Sequence, residues 1–230
     1  MSAYLRAALA IAGKDLRIEL RAKEVAYAMA FFAALVVLLF AFAFTREGRS
    51  DPDAAAGILW IAVALSGTLG LGRAFDRERE GDTLRALLLA PVARSALYLG
   101  KLVGIVALML FTEVVTALVV ALLFSSPLLS PRGLPALATL LMLGTLGYAA
   151  VGSLFAAMLA RHRGRDILLG ILLYPIIVPV LIAGARGTEA LLARPIDLET
   201  AWFWARLLAA FDAVFLTVAL WLFEPLVATD

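Results

Sequence analysis

The chain has 230 residues, 63% of them apolar and only 17% charged, with 20 Lys and Arg against 18 Asp and Glu. A soluble domain carries roughly 45–50% apolar residues and needs polar ones to cover its surface, so this composition defines an integral membrane protein. The lack of cysteine excludes a disulfide scaffold, thiolate metal sites and thiol nucleophiles.

Residues 1–24 read as an amphipathic helix lying in the membrane surface. Leu5, Leu9, Ala12, Leu16 and Leu20 share one face, and Lys14, Arg17 and Arg21 fall near the other. A bilayer core of ~30 Å needs about 20 apolar residues per helix. Six stretches meet that length: about 25–44, 54–72, 102–124, 134–160, 167–185 and 201–223. They are continuous and rich in Ala and Leu, without the alternation of barrel strands. The expected fold is therefore an all-α integral membrane protein with six transmembrane helices behind an N-terminal interfacial helix, forming one domain over 1–230.

The cationic residues set the expected orientation. Arg6, Lys14, Arg17, Arg21 and Lys23 precede the first span; Arg73, Arg77, Arg79, Arg85, Arg94 and Lys101 follow the second; Arg161, Arg163 and Arg165 follow the fourth. Arg46, Arg49, Arg132, Arg186 and Arg194 occupy the opposite connections. The bias predicts that both termini face the cytoplasm.

No G-x-x-x-x-G-K-[ST] phosphate loop is present, since Gly13-Lys14 and Gly100-Lys101 lack both the upstream glycine and the following hydroxyl. His162 is the only histidine, and neither a metal-ligand cluster nor a G-x-S-x-G is found, so nothing argues for an enzyme. The segment Arg73–Lys101 carries a mixed-charge helix from Phe75 to Glu80, a break at Gly81-Asp82, and a second short helix from Thr83 that Pro91 stops. Its composition fits a docking element for a cytoplasmic partner and a solvated loop with weak local salt bridges equally well.

Glu113 and Asp212 each lie about eleven residues into a span, close to mid-membrane at ~1.5 Å rise per residue. An ionised carboxylate there costs a few kcal/mol or more, so each is expected to face protein or a cavity. Two readings stand: the pair lines an intramembrane path, or each carboxyl is protonated or bonded to a hydroxyl, with Thr112 and Thr116 beside Glu113 and Thr217 near Asp212. Arg206 reads as a snorkelling anchor and Trp202 and Trp204 as an aromatic belt. His162 reads as a solvated loop residue. Gly144, Gly147, Gly152, Ala149, Ala150 and Ser153 give the fourth span a surface for close helix approach, so it is expected to pack centrally. Pro175 and Pro179 are expected to kink the fifth.

Taken in order, several stretches resemble the haem exporter protein B (CcmB) family. They are Lys14-Asp15-Leu16-Arg17-Ile18-Glu19-Leu20-Arg21-Ala22-Lys23-Glu24, Gly57-Ile58-Leu59-Trp60, Gly70-Leu71-Gly72-Arg73, and Phe75-x-x-Glu78-Arg79-Glu80 with Thr83-Leu84 and Leu88-Leu89-Ala90-Pro91. Gly144-Thr145-Leu146-Gly147-Tyr148 through Gly152, and Tyr174-Pro175-Ile176-Ile177-Val178-Pro179, follow. The resemblance covers residues 14 to about 186. Asp82 departs from it, standing where the family usually has glycine before the Ser/Thr-Leu pair.

The resemblance implies a non-catalytic ABC-transporter permease of cytochrome c maturation in the bacterial cytoplasmic (inner) membrane. Its implied partners are a separate cytoplasmic ATPase subunit, a second copy of the permease, and the haem-handling membrane protein and haem chaperone of the pathway. ATP would act only through the partner, and haem would be the transported or transiently contacted species. The N-terminal helix and Phe75, Asp76, Glu78, Glu80 and Gly81 are then the expected ATPase-docking points. Rival expectations are an ABC permease for a drug or lipid, an ion-coupled carrier using Glu113 and Asp212, and a passive assembly scaffold.

Overall fold

In hydrocarbon every backbone polar group must find its partner inside the protein, which leaves helices as the local solution for long apolar runs. A computed structural model describes residues 3–46, 49–50, 54–80, 94–124, 127–159 and 164–228. Among the described residues there are seven α-helices: α1 (Ala3–Ala22), α2 (Glu24–Ala43), α3 (Ala54–Glu80), α4 (Arg94–Leu123), α5 (Leu134–Leu159), α6 (Arg165–Leu192) and α7 (Leu198–Ala228). Helices α2 to α7 are each long and apolar enough to cross a membrane. Thr45–Arg46 and Arg49–Ser50 pair as a minimal antiparallel ribbon after α2.

Helix α5 stands at the centre, packed against α3, α4, α6 and α7, and 72% of its most apolar stretch is buried. Its glycines and alanines give it that place, because small residues let neighbouring helices approach. Helix α2 packs on α3 and α4 at the periphery. Its outer stripe of Tyr27, Phe31, Leu39 and Phe42 is exposed. Helix α6 runs without interruption through Pro175 and Pro179.

The expected spans differ most from the helices at three ends, by seven or eight residues, and a charge pair stands at two of them. Helix α4 starts at Arg94, eight residues before the expected Leu102, because Lys101 is drawn into the bundle and paired with Asp15 of α1. Helix α6 continues past Arg186 to Leu192, with Arg186 bonded to Glu189 one turn on at 2.8 Å. Helix α3 does not stop at Gly72 but continues as one rod to Glu80.

Trp60 of α3 locks three helices together. A Cβ at Gly144 of α5 or at Gly184 of α6 would collide with its indole ring, so both glycines form the seat in which the ring lies. The indole N–H donates to the Thr188 hydroxyl at 3.0 Å, and Trp60 and Thr188 are both buried. At the other end of the bundle, Tyr98 of α4 donates to the Ala150 carbonyl at 2.9 Å and packs its ring 5.2 Å from that of Phe223. Since α1 rests on the same end of α4, both termini lie on one side of the bundle, as an even number of spans requires.

Helix α7 opens on a cap: the Thr200 amide donates to Asp197 Oδ1 at 2.9 Å. Hydrogen bonds from Thr200 hold the Asp197 carboxyl below its ordinary range. The cap is therefore in place at neutral pH and is lost as pH falls through the lowered pKa.

Trp60→Ala is expected to lower stability by about 3–5 kcal/mol through lost packing. Thr188→Val, which removes only one interhelical hydrogen bond, should cost about 0.6 kcal/mol. Thermal unfolding of the detergent-solubilised variants checks this; comparable losses would show that the hydrogen bond, not the ring, holds the helices.

Candidate functional site

The N-terminal helix is built onto α4. Ala8, Ile11, Ala12 and Glu19 are buried along one stripe, and Asp15 lies in the same stripe. Close contact is set by Gly100, where an added Cβ would sit 2.8 Å from both the Ala8 carbonyl oxygen and Ile11 Cβ. One turn away, Lys101 Nζ meets Asp15 Oδ2 at 2.7 Å. Glu19 is buried, and its Oε1 accepts from the Ala26 amide at 2.8 Å. A carboxylate is thereby placed at the positive N-terminal end of α2. Lys23, the single residue between the helices, takes the left-handed conformation at φ 57° and turns the chain from α1 into the first span.

This arrangement leaves the expected leucine face of α1 turned away from the bundle, as a helix lying in the membrane surface requires, and reassigns one residue of it. Leu9 and Leu16 are not in the protein contact but exposed, with Ile18 beside them. The buried side instead carries small residues and both carboxylates. Ala12, read as part of the leucine face, belongs to the buried stripe.

Inside the bundle, Glu113 of α4 is buried and its Oε1 accepts a hydrogen bond from the Thr145 hydroxyl of α5. Thr112 and Thr116 do not serve it; each donates to the carbonyl four residues back on its own helix, at 3.1 and 2.7 Å. Thr217 likewise bonds to the Ala213 carbonyl, not to Asp212. Asp212 of α7 is buried against Gly147 of α5, where an added Cβ would collide with Oδ1. Among the described residues, neither Asp212 oxygen nor Glu113 Oε2 has a hydrogen-bond partner.

Thr145 and Gly147 are two residues apart on α5, about 200° around the helix and ~3 Å along it. The two carboxylates therefore lie at similar depth on nearly opposite flanks of α5, one at the α4 interface and one at the α7 interface.

A second polar cluster was not singled out in the sequence. Thr68 Oγ1 of α3 lies 2.7 Å from the Tyr148 hydroxyl of α5 and 3.0 Å from the Tyr174 hydroxyl of α6. The Thr68 and Tyr148 hydroxyls also lie 3.0 and 2.8 Å from the Ala64 carbonyl oxygen. In the sequence Tyr148 and Tyr174 stand only as letters of the family motifs. The phenolic hydroxyl of a tyrosine within an apolar span, which must find a hydrogen-bond partner, is the signal that points to them.

Of the expected docking residues, Phe75, Asp76, Glu78 and Glu80 lie in the last two turns of α3. Gly81, the expected second short helix from Thr83 and His162 lie outside the described residues. Trp202 and Arg206 are exposed on α7, and the Trp204 ring is edge-on to Phe203 at 5.5 Å. No group of three or more His, Cys, Asp or Glu that could hold a metal occurs among the described residues.

Six membrane-crossing helices, the glycine-rich α5 at their centre, with an interfacial helix tied to the bundle by an ion pair, define a multi-pass helical protein of the membrane. Comparison with known proteins is specific: the model of the CcmB protein family matches residues 6–226, and the chain belongs to that family. The match extends past Arg186, where the recognisable motifs end, nearly to the C-terminus. The chain is 30% identical over 176 residues to the heme exporter protein B of Pseudomonas aeruginosa, covering 74% of each chain. It is 34% identical over 184 residues to that of Paracoccus denitrificans, covering 76% of this chain and 79% of the relative. It is also 34% identical over 192 residues to that of Rhodobacter capsulatus, covering 79% and 84%. Its spans and bacterial relatives make it a multi-pass protein of the bacterial inner membrane.

Thr145→Val leaves Glu113 Oε1 without its donor and is expected to cost about 1–3 kcal/mol. Glu113→Gln, whose amide oxygen can still accept from Thr145, should cost less. Denaturation midpoints of the two variants in detergent check the order, and a neutral Thr145→Val would show that the contact does not matter to the fold.

Proposed function

We propose that this chain is the membrane permease subunit of an ABC-type exporter in cytochrome c maturation. In this reading a separate cytoplasmic subunit hydrolyses ATP, and the permease couples that cycle to haem export or to release of a haem-loaded chaperone. Support comes from family membership and from relatives that carry the name heme exporter protein B.

The single structural observation behind the coupling is the continuity of α3. The span ends near Arg73, and seven more residues, about 10 Å at ~1.5 Å each, continue in the same helix to Glu80. A helix of this kind acts as a rod. Displacement of its Phe75–Glu80 end is carried to Thr68, which meets α5 and α6, and to Trp60, which is seated in both. The excess of Lys and Arg at this end of the bundle favours the cytoplasmic side, where an ATPase would be. The alternating charges Arg77-Glu78-Arg79-Glu80 offer such a partner an electrostatic register. The chain lacks a phosphate loop, so hydrolysis belongs to the partner.

Docking is assigned to Phe75, Asp76, Glu78, Glu80 and Gly81. A second copy of the permease, a haem-handling membrane protein and a haem chaperone complete the assembly in this reading. A permease of the same architecture for a drug or lipid would need the same ATPase, so the cytochrome c phenotype separates the two.

The double charge reversal Glu78→Lys with Glu80→Lys is expected to weaken association with the ATP-hydrolysing subunit at least ~10-fold and to abolish cytochrome c assembly. Co-purification from native membranes and haem-stained cytochrome c content measure the two effects. Unchanged association would remove the docking assignment. Failure of the wild-type chain to associate with any ATP-hydrolysing subunit would remove the permease reading.

A further inference from the structure

The distribution of charge around α1 is uneven. The helix contains Arg6, Lys14, Arg17 and Arg21 against Asp15 and Glu19. Both carboxylates are spent on the protein: Asp15 on Lys101 and Glu19 on the N-terminus of α2. Lys14 bonds to Asp15 at 2.9 Å while its side chain stays 39% accessible, and Arg6, Arg17 and Arg21 are exposed. The charge on the outward surface of α1 is therefore predominantly cationic.

That surface is indented. Gly13 has no atom within 4 Å of the place where its Cβ would be, and with Ala10 it leaves a trough between the neighbouring turns. The trough encloses about 540 Å³ and is lined by Leu9, Ala10, Gly13, Lys14, Arg17, Ile18 and Arg21. Its volume falls in the ~300–1,000 Å³ range of small-ligand clefts. One wall is apolar, with Leu9 52% and Ile18 44% exposed. The other is cationic.

Depth selects the occupant. Helix α1 joins the first span through the single residue Lys23 and rests on Gly100 and Gly104 in the first turns of α4, itself a membrane-crossing helix. It is therefore held at the boundary where hydrocarbon gives way to phosphate. A protein partner would meet a cationic helix, but it would not explain apolar side chains exposed at this depth beside the arginines. A lipid explains both, since an acyl chain covers Leu9 and Ile18 while the headgroup faces the guanidinium groups.

We propose that the α1 trough is a binding site for an anionic phospholipid, with Lys14, Arg17 and Arg21 receiving the phosphate and Leu9, Ala10, Gly13 and Ile18 the acyl chain. The site sits on the element that is tied to α4 by Asp15 and to α2 by Glu19, so a bound lipid steadies the junction of three helices. The assignment stands whether or not the chain works with an ATPase.

The test is native mass spectrometry of the full chain in detergent, titrated with dioleoylphosphatidylglycerol or dioleoylphosphatidylcholine. The wild type should bind the glycerol lipid in clear preference. Arg17→Gln with Arg21→Gln should weaken that binding by roughly thirty-fold, about five-fold per cation removed, and leave the choline lipid unchanged. Gly13→Leu, which keeps every charge but fills the trough, should weaken it as well, and Arg17→Lys with Arg21→Lys should restore it. Equal binding of the two lipids by the wild type would overturn the proposal. So would an Arg17→Gln, Arg21→Gln variant that keeps its phosphatidylglycerol affinity, including one that instead loses a protein partner.

Discussion

The pairing of Lys101 with Asp15 decides how this protein enters the membrane. A lysine in the first turns of a membrane-crossing helix must be matched or turned to water, because an unpaired charge in hydrocarbon costs at least a few kcal/mol. Here it is matched by a carboxylate from outside the span, at 2.7 Å. Three things depend on that match. Helix α4 can begin at Arg94, α1 is fixed on α4 at the membrane boundary, and the rest of α1 is oriented with its cations, Leu9 and Leu16 outward. Glu19 continues the same logic one turn later by closing the start of α2.

Within the bundle the same rule operates through hydroxyls and glycines. Thr145 donates to one oxygen of Glu113, and Thr68 gathers Tyr148 and Tyr174, so polar groups from four helices are bonded across helix interfaces. Interhelical hydrogen bonds of this kind average only about 0.6 kcal/mol each. Packing must therefore provide the larger share, and the glycine seats of Trp60 are where it is concentrated. Helix α3 contributes both Trp60 and Thr68 and then extends beyond the span to Glu80. It is the one helix that carries the internal contacts and the expected docking segment on a single rod, and the coupling proposed for the family member follows from that.

The number of spans, the central place of α5 and the amphipathic character of α1 were legible because each depends on composition over a whole helix. The family was legible from motifs at fixed spacing. What could not be read were pairings over long separations. Lys101 looked like the edge of a span because its partner lies 86 residues earlier in the chain. Thr112 and Thr116 looked like partners of Glu113 by proximity in sequence, yet a hydroxyl in a helix is drawn first to the carbonyl four residues back. Glu113 was left for Thr145, on another helix. The leucine face of α1 reads as a membrane-facing one, and Leu9 and Leu16 are indeed turned away from the bundle, since lipid is the alternative solvent there. In Asp15 and Glu19 the family's charged opening motif was visible as a string, and its two roles became visible only with α4 and α2 beside it.

The chain contains no cysteine, so a single Glu78→Cys carries a cross-linker to one known place at the end of α3. In native membranes containing the whole assembly, one adduct is expected, joining this chain to the ATP-hydrolysing subunit, with a yield that changes on ATP binding. A variant that matures cytochrome c normally but gives no adduct with any such subunit would contradict it.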